Sequence, residues 1–181
     1  MSIYLEELKI RELPKIARTY RNSFPVKERK PFSVMLKMRR EGRQEMLVIH
    51  DAATKKAVGL CFMLTDGKNF ILDYLAVDGK LRSKGYGGQT LSQIKKRYGG
   101  ARIIIEIEKP VKSGTQAARR KEFYLRNGLK DSGINILLFG VEMELLYFGE
   151  EISYPFYEEL LTGAFGKERK AFVKKNVKEL K

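Results

Sequence analysis

Cysteine, histidine and tryptophan are nearly missing: the 181 residues hold one cysteine, one histidine and no tryptophan. The lone Cys61, inside an apolar stretch, excludes an internal disulfide and any zinc site built on cysteines. As the sole imidazole, His50 lacks company for a metal site and is expected at the surface or at a cap. Long apolar runs are absent too. No stretch approaches the ~20 residues that a membrane-spanning helix needs. The first eleven residues mix charged with apolar side chains, unlike the uncharged core of a secretory signal. We therefore expect a reducing, cytoplasmic compartment. No repeat or low-complexity segment divides the chain, so one domain over 1–181 is expected, with 153–181 a C-terminal helical extension.

Carboxylates are outnumbered, 22 against 36 lysines and arginines, for a formal charge of +14. Such an excess can serve nucleic acid, or it can steer a small polyanion into a cleft. Much of it lies in the run from Lys167 to Lys181, where Phe172, Val173 and Val177 are the apolar minority. A solvated amphipathic helix accounts for that run without any ligand. The remaining composition, 43% hydrophobic and 32% charged, is that of a globular domain. At this length about 70% of the unfolded surface can be buried, enough to fold unaided.

Periodicity orders the chain. Ile3 to Leu8 fits a short edge strand. Leu13, Ile16, Ala17, Tyr20 and Phe24 fall at spacings of three and four, the stripe of an amphipathic helix. A second helix starts at Pro31 and runs through Val34, Met35 and Met38 to Gly42. Met46 to His50, Ala57 to Leu64 and Phe70 to Val77 are apolar runs separated by turn signals, hence three strands in meander order. After a helix carrying Leu91, Ile94 and Tyr98, the run Arg102 to Glu108 is a strand buried on both faces. Strand, helix, strand implies parallel pairing with the Phe70 strand. Gln116 to Asn127 is helical and ends at Gly128, Ile134 to Leu138 and Val141 to Tyr147 form a hairpin, and a last helix opens at Pro155.

Between the Phe70 strand and its helix lies Arg82-Ser83-Lys84-Gly85-Tyr86-Gly87-Gly88. Backbone amides with little side-chain cover, at the positive end of a helix, suit phosphate. A Walker site needs Lys-Ser or Lys-Thr after its last glycine, and none is present. A dinucleotide fingerprint would need glycine where Thr90 stands, and the antiparallel meander also opposes it. What remains is R-x-x-G-x-G, Arg82 to Gly87, after a buried strand and before a helix. This motif resembles the acetyl-CoA signature of the GNAT superfamily of N-acetyltransferases. The segment Arg119 to Leu129, with Phe123-Tyr124 ahead of Asn127-Gly128, is similar to the family's next helix, and the element order resembles the family's along nearly the whole chain, in the manner of its small bacterial members.

The resemblance implies an α/β (α+β) fold with a mixed, mostly antiparallel, splayed sheet flanked by helices on both faces. It implies an acetyl-CoA-dependent enzyme that moves acetyl to a small-molecule or peptide amine by direct attack on the thioester. Leu75, Ala76 and Val77 would offer backbone groups to the pantetheine arm, and Arg82, Ser83, Lys84, Gly85, Tyr86, Gly87 and Gly88 would take the pyrophosphate. Ala117 departs from the asparagine that many relatives carry, and Arg119 or Arg120 would serve instead. Tyr124 would protonate the leaving thiolate. Asp73 and Glu106 interrupt strands that are otherwise apolar, and buried carboxylates need a partner or a function. In the family the position of Asp73 often carries an acid facing the acceptor. An alkylammonium of pKa about 10.4 is only ~0.04% neutral at pH 7, a handicap of roughly 4.6 kcal/mol that a base or a desolvating site can reduce. Phe24, Pro25, Glu28, Arg29 and Phe32 would border the acceptor. No metal and no membrane are implied, and the chain would be a monomer or homodimer. Two alternatives stay open: a basic nucleic-acid-binding domain, and a GNAT-like domain that binds CoA without catalysis.

Overall fold

A computed structural model describes residues 2–180. Eight strands form one sheet in the order β1-β2-β3-β4-β5-β7-β6-β8. They are β1 Ile3–Glu7, β2 Gln44–Asp51, β3 Ala57–Thr65, β4 Phe70–Val77, β5 Ile103–Glu108, β6 Lys130–Leu138, β7 Val141–Phe148 and β8 Val177–Leu180. The helices are α1 Leu13–Ser23, α2 Phe32–Arg40, α3 Tyr86–Arg97, α4 Gln116–Arg126, α5 Tyr154–Phe165 and α6 Lys170–Asn176. The chain divides into two compact units. One comprises the residues up to Met63 together with Asp73–Tyr98, and the other Leu64–Leu72 with the chain from Gly99 onward.

In the first unit, β1 pairs antiparallel with β2 at the edge of the sheet. Alternation then sorts the side chains. Met46 and Val48 of β2, Leu60 and Phe62 of β3, and Tyr74 and Ala76 of β4 pack with Ile16 and Tyr20 of α1 and Met35 of α2. Pro31 caps α2 rather than forming its first residue, so that helix begins one position later than the sequence suggests. Phe24 and Phe32 also pack on this cluster, their rings against Tyr20 at 5.5 and 5.3 Å. The two phenylalanines expected beside an acceptor are thus partly buried against this cluster. Cys61 is fully buried in β3, where desolvation pushes its thiol far above the usual range and leaves it unreactive.

In the second unit, β4 and β5 pair in parallel through Phe70–Ile103 and Ile71–Ile104. The register of that ladder covers these two pairs at the start of β4. On its other edge β5 pairs antiparallel with β7 along its whole length. β7 thus lies between β5 and β6 although it follows β6 in sequence. β6 begins four residues earlier than its apolar pattern indicates. Asp131-Ser132-Gly133 has turn chemistry, but it forms an irregularity within the strand, with Gly133 at φ 71° and Ser132 Oγ donating to Leu145 O at 2.7 Å.

The C-terminal run departs most from expectation. Only Lys170–Asn176 is α-helical, and Val177–Leu180 becomes an edge strand paired antiparallel with β6. Val173 and Val177 are 0% and 1% exposed, so the two valines of a run read as solvated hold it down. The third apolar residue, Phe172, remains half-exposed with its ring 5.8 Å from that of Phe139.

Gly59 fixes how closely β3 and β4 approach. A Cβ there would stand 2.3 Å from Ala76 O and 3.1 Å from Val77 Cα, both backbone atoms. Gly59→Ala should therefore cost about 1–3 kcal/mol and lower the melting temperature by roughly 3–10 °C, measured by thermal unfolding. An unchanged melting temperature would show that β4 can yield at this point.

Candidate functional site

The turn after β4 is built from local hydrogen bonds. Asp78 N donates to Val58 O at 2.8 Å, and the Asp78 carboxylate accepts from Lys80 N at 3.1 Å, which sets a single 3-10 turn over Gly79–Leu81. Ser83 and Gly85 follow with φ 62° and 79°. Gly85 is the N-cap of α3, and its left-handed backbone is one that glycine adopts at no steric cost. The first bond of α3 runs from Gln89 N to Gly85 O, at 3.1 Å. Among the described residues the amides of Tyr86, Gly87 and Gly88 donate to no protein group. Arg82, Ser83, Lys84 and Gly85 are exposed. Unpaired amides, the positive helix end and two cations thus meet over seven residues.

Tyr86 contributes only its backbone here. Its ring is buried, and its hydroxyl donates to Asp51 Oδ2 at 2.8 Å. Asp51 also accepts from Thr54 N and Thr54 Oγ1, at 2.8 and 2.9 Å. The α3 start is thereby pinned to the end of β2. The Thr54 amide first, and then Tyr86, hold the Asp51 carboxyl below its usual value, while the bond to Asp51 and burial push the Tyr86 phenol up.

An open cavity of about 740 Å³ adjoins this turn, with Lys80 and Arg82 on one side and Lys15 and Arg18 of α1 on the other. Thr19, Asn22 and Ser23 also line it, and Asp78 is its one carboxylate. Sequence reasoning found Arg82 and missed Lys15, Arg18, Asn22 and Lys80. A signal existed: Lys15, Arg18 and Asn22 recur at spacings of three and four on the polar side of the α1 stripe. Four cations against one acid make the cavity an attractor for a polyanion.

Asp73 lies in the same unit. Its side chain is 10% exposed, and Lys30 Nζ donates to Oδ1 at 2.6 Å while Gln44 Nε2 donates to Oδ2 at 3.1 Å. Two and four positions on, Leu75 and Val77 share its side of β4 and are partly exposed, whereas Ala76 faces the core. His50 differs from expectation, being 4% exposed rather than at the surface. It stacks on Tyr4 with centroids 5.0 Å apart, and its Nε2 meets Glu12 Oε1 at 2.7 Å. The missed signal was its place in a strand buried on both faces.

Glu106, Arg120 and Tyr124 belong to the second unit. Tyr157 Oη donates to Glu106 Oε1 at 2.5 Å, and burial, reinforced by the Glu106 charge, pushes the Tyr157 phenol well above its usual value. Tyr124 is 8% exposed on α4, its ring 5.2 Å from that of Phe123. Its helix neighbour Lys121 is clamped between Asp131 and Glu144, at 2.8 and 2.6 Å. Arg120 is exposed, and Arg119 donates to Gly114 O at 2.6 Å. Among the described residues no three His, Cys, Asp or Glu side chains gather as a metal site, and no helix is long and apolar enough to cross a membrane.

No protein-family model matches the chain, and no curated protein does. Solved structures do. A protein described as a GNAT-family acetyltransferase from Bacteroides thetaiotaomicron aligns with a TM-score of 0.72 at 21% identity, over 86% of this chain and 92% of the other. The chain therefore has the fold of the GNAT acetyltransferases. Spermidine N-acetyltransferase from Vibrio cholerae, in complex with CoA and spermine, aligns with a TM-score of 0.65 at 13% identity, over 81% and 95% of the two chains. The ribosomal-protein-S18-alanine N-acetyltransferase of Escherichia coli does so with 0.57 at 15% identity, over 83% and 96%.

Tyr86→Phe tests the pin at the α3 start. A carboxyl held low stabilises the fold above its unfolded value and loses that contribution as pH falls through its folded value. A phenol held high stabilises below its unfolded value and loses the contribution as pH rises through its folded one. The melting-temperature deficit of Tyr86→Phe should thus be full between about pH 4 and pH 10 and shrink toward pH 3. A deficit that is equal at pH 7 and pH 3 would mean the hydroxyl does not engage the ionised Asp51.

Proposed function

We propose that this chain is an acetyl-CoA-dependent N-acetyltransferase in which an acceptor amine attacks the thioester directly. The observation that carries the proposal is the turn before α3, where unpaired amides of Tyr86, Gly87 and Gly88 stand next to a cavity bordered by Lys15, Arg18, Lys80 and Arg82. That donor set fits a pyrophosphate and a further phosphate. The GNAT fold supports the same reading.

Acetyl-CoA supplies the activated acyl group; the chain's own residues bind and manage protons. Backbone groups of Leu75, Ala76 and Val77, at the end of β4, would hold the pantetheine arm. Arg82, Ser83, Lys84, Gly85, Tyr86, Gly87 and Gly88 would hold the pyrophosphate, Tyr86 through its amide alone, with Arg120 as an added cation. Tyr124 would give its proton to the departing sulfur. A thiol has a pKa of ~8.5, so that proton helps without being indispensable. Asp73 and Glu106 would face an amine that must lose a proton. Carboxylates there favour a cationic acceptor, a polyamine-like molecule or a peptide amine. Fold neighbours handle acceptors of both kinds, spermidine in one and a ribosomal protein's alanine in the other.

Two measurements test this. At a hundredfold excess over its Kd, acetyl-CoA should raise the melting temperature by about 5–10 °C. Gly87→Glu should abolish that shift, because it puts bulk and negative charge among the amides. A glutamate in the first turn also suits the helix dipole, so the variant should stay folded. A surviving shift would place the cofactor elsewhere. With an amine panel, Tyr124→Phe should lower kcat on the order of tenfold or more while leaving the acetyl-CoA shift intact. Unchanged kcat would remove Tyr124 as the acid.

A further inference from the structure

One charged group in the first unit has an occupant supplied by the chain itself. Asp73 is nearly buried, and the ammonium of Lys30 rests on its Oδ1 at 2.6 Å. The same ammonium stands 5.6 Å from the centre of the Tyr74 ring, within cation–π range. Gln44 holds the other carboxylate oxygen through Nε2. Its Oε1 is buried and has no hydrogen-bond partner among the described residues, and Gln44 as a whole is 2% exposed. A carboxylate, an aromatic face and an unpaired amide oxygen are the groups that recognise a primary ammonium, which carries three donors and no acceptor.

A purely structural ion pair would not explain two features. First, the packing leaves the Gln44 oxygen unsatisfied, which costs free energy that a staple need not incur. Second, the anchoring of Lys30 does not depend on its ammonium. Its N–H donates to Tyr74 Oη at 3.1 Å, and its carbonyl accepts from Tyr20 Oη at 3.2 Å. Tyr74 Oη in turn donates to Glu28 O at 2.7 Å. The main chain is thus fixed by two tyrosines, while the ammonium rides on a flexible four-carbon stem that is 23% exposed. The stem can swing out with every backbone bond intact.

We propose that Asp73, Gln44 and Tyr74 form a binding site for a primary alkylammonium, and that Lys30 is a tethered competitor which an incoming cationic ligand displaces. Burial, and then the Asp73 charge, push the Tyr74 phenol far above its usual value, so its ring stays neutral and serves the cation as a face. The site narrows the acceptor class named above, for it takes an alkylammonium with a slim unbranched stem, as lysine itself has. It rests on that reading for its place in a reaction, and not for its existence. Displacement also sets a threshold: the tethered group holds the carboxylate until the free cation competes with its local concentration.

The test is direct binding of butane-1,4-diamine to the full chain without acetyl-CoA, by titration calorimetry and thermal shift, so the result stands whether or not acetyl transfer is found. Lys30→Met strands a buried carboxylate and should lower the melting temperature. Millimolar diamine should restore it by about 5 °C, whereas butan-1-ol should not. The diamine should bind Lys30→Met about tenfold more tightly than the unsubstituted chain. The double variant Lys30→Met, Asp73→Asn should not bind it. If Lys30→Met does not fold, Lys30→Gln carries the same comparison. Equal affinity with and without Lys30, rescue by butan-1-ol, or binding that survives Asp73→Asn would each overturn the site.

Discussion

Where α3 begins decides what this chain can bind. The first three amides of any helix have no carbonyl within it to reach, so they bond to a cap, to water or to a ligand. Here the N-cap is Gly85, which has no side chain to offer, so Tyr86, Gly87 and Gly88 keep their donors. The neighbouring contacts hold that arrangement still. Tyr86 is bonded to Asp51 at the end of β2, Asp78 organises the turn behind it, and Thr90 Oγ1 donates to Tyr86 O at 2.8 Å. The Tyr86 and Thr90 side chains are buried in these bonds, while Asp78 stays at the wall of the cavity. A capping serine at position 85 would accept from one of these amides and leave fewer of them open.

A second constraint lies along β4. Its first two residues are committed to β5, and its later ones carry side chains alternately into the core and away from it. Tyr74 and Ala76 are fixed by packing, and Gly59 lets the β3 backbone come close behind Ala76. The alternate residues Asp73, Leu75 and Val77 are thereby set in a row on the other side of β4. A carboxylate so close to an aromatic core cannot stay unpaired, and Lys30 and Gln44 supply what it needs. The aromatic set of Tyr20, Phe24, Phe32, Phe62 and Tyr74 does more than fill volume, since two of its hydroxyls tie down the segment that carries Lys30.

The elements most visible in the sequence were those whose cause is local. The α1 stripe, the meander of β2, β3 and β4, and the glycine turn all follow from spacing and turn chemistry, and the structure has them. What the sequence hid was pairing at long range. Nothing in Val141–Phe148 says that it will insert between β5 and β6, and nothing in Val177–Leu180 says strand rather than helix until β6 offers an open edge. The site divides in the same way. Arg82 to Gly88 stand out in the sequence because glycines ahead of a helix leave its first amides uncovered. Lys15 and Arg18 show in the sequence only as cations on the polar face of a helix, and Lys80 as one of several basic residues, until the fold sets them beside one cavity. His50 shows the converse, a polar residue expected at the surface that the fold buries against Glu12.

The charge of +14 then has to be apportioned. At physiological salt the field of an exposed cation fades over about 8 Å, so a phosphate is held by cations that touch its site and hardly at all by the rest. Lys15, Arg18, Lys80 and Arg82 line the cavity themselves and meet one carboxylate there. The basic residues of α6 and β8 can add to long-range steering, an effect on association rate that salt weakens. Affinity for a polyanion should accordingly be set by four side chains and three amides. A nucleic-acid surface would instead spread its cations along an extended stripe and loosen in proportion to the number of phosphates it covers. The concentration of charge at one helix start, and not its total, is what favours a small phosphorylated ligand.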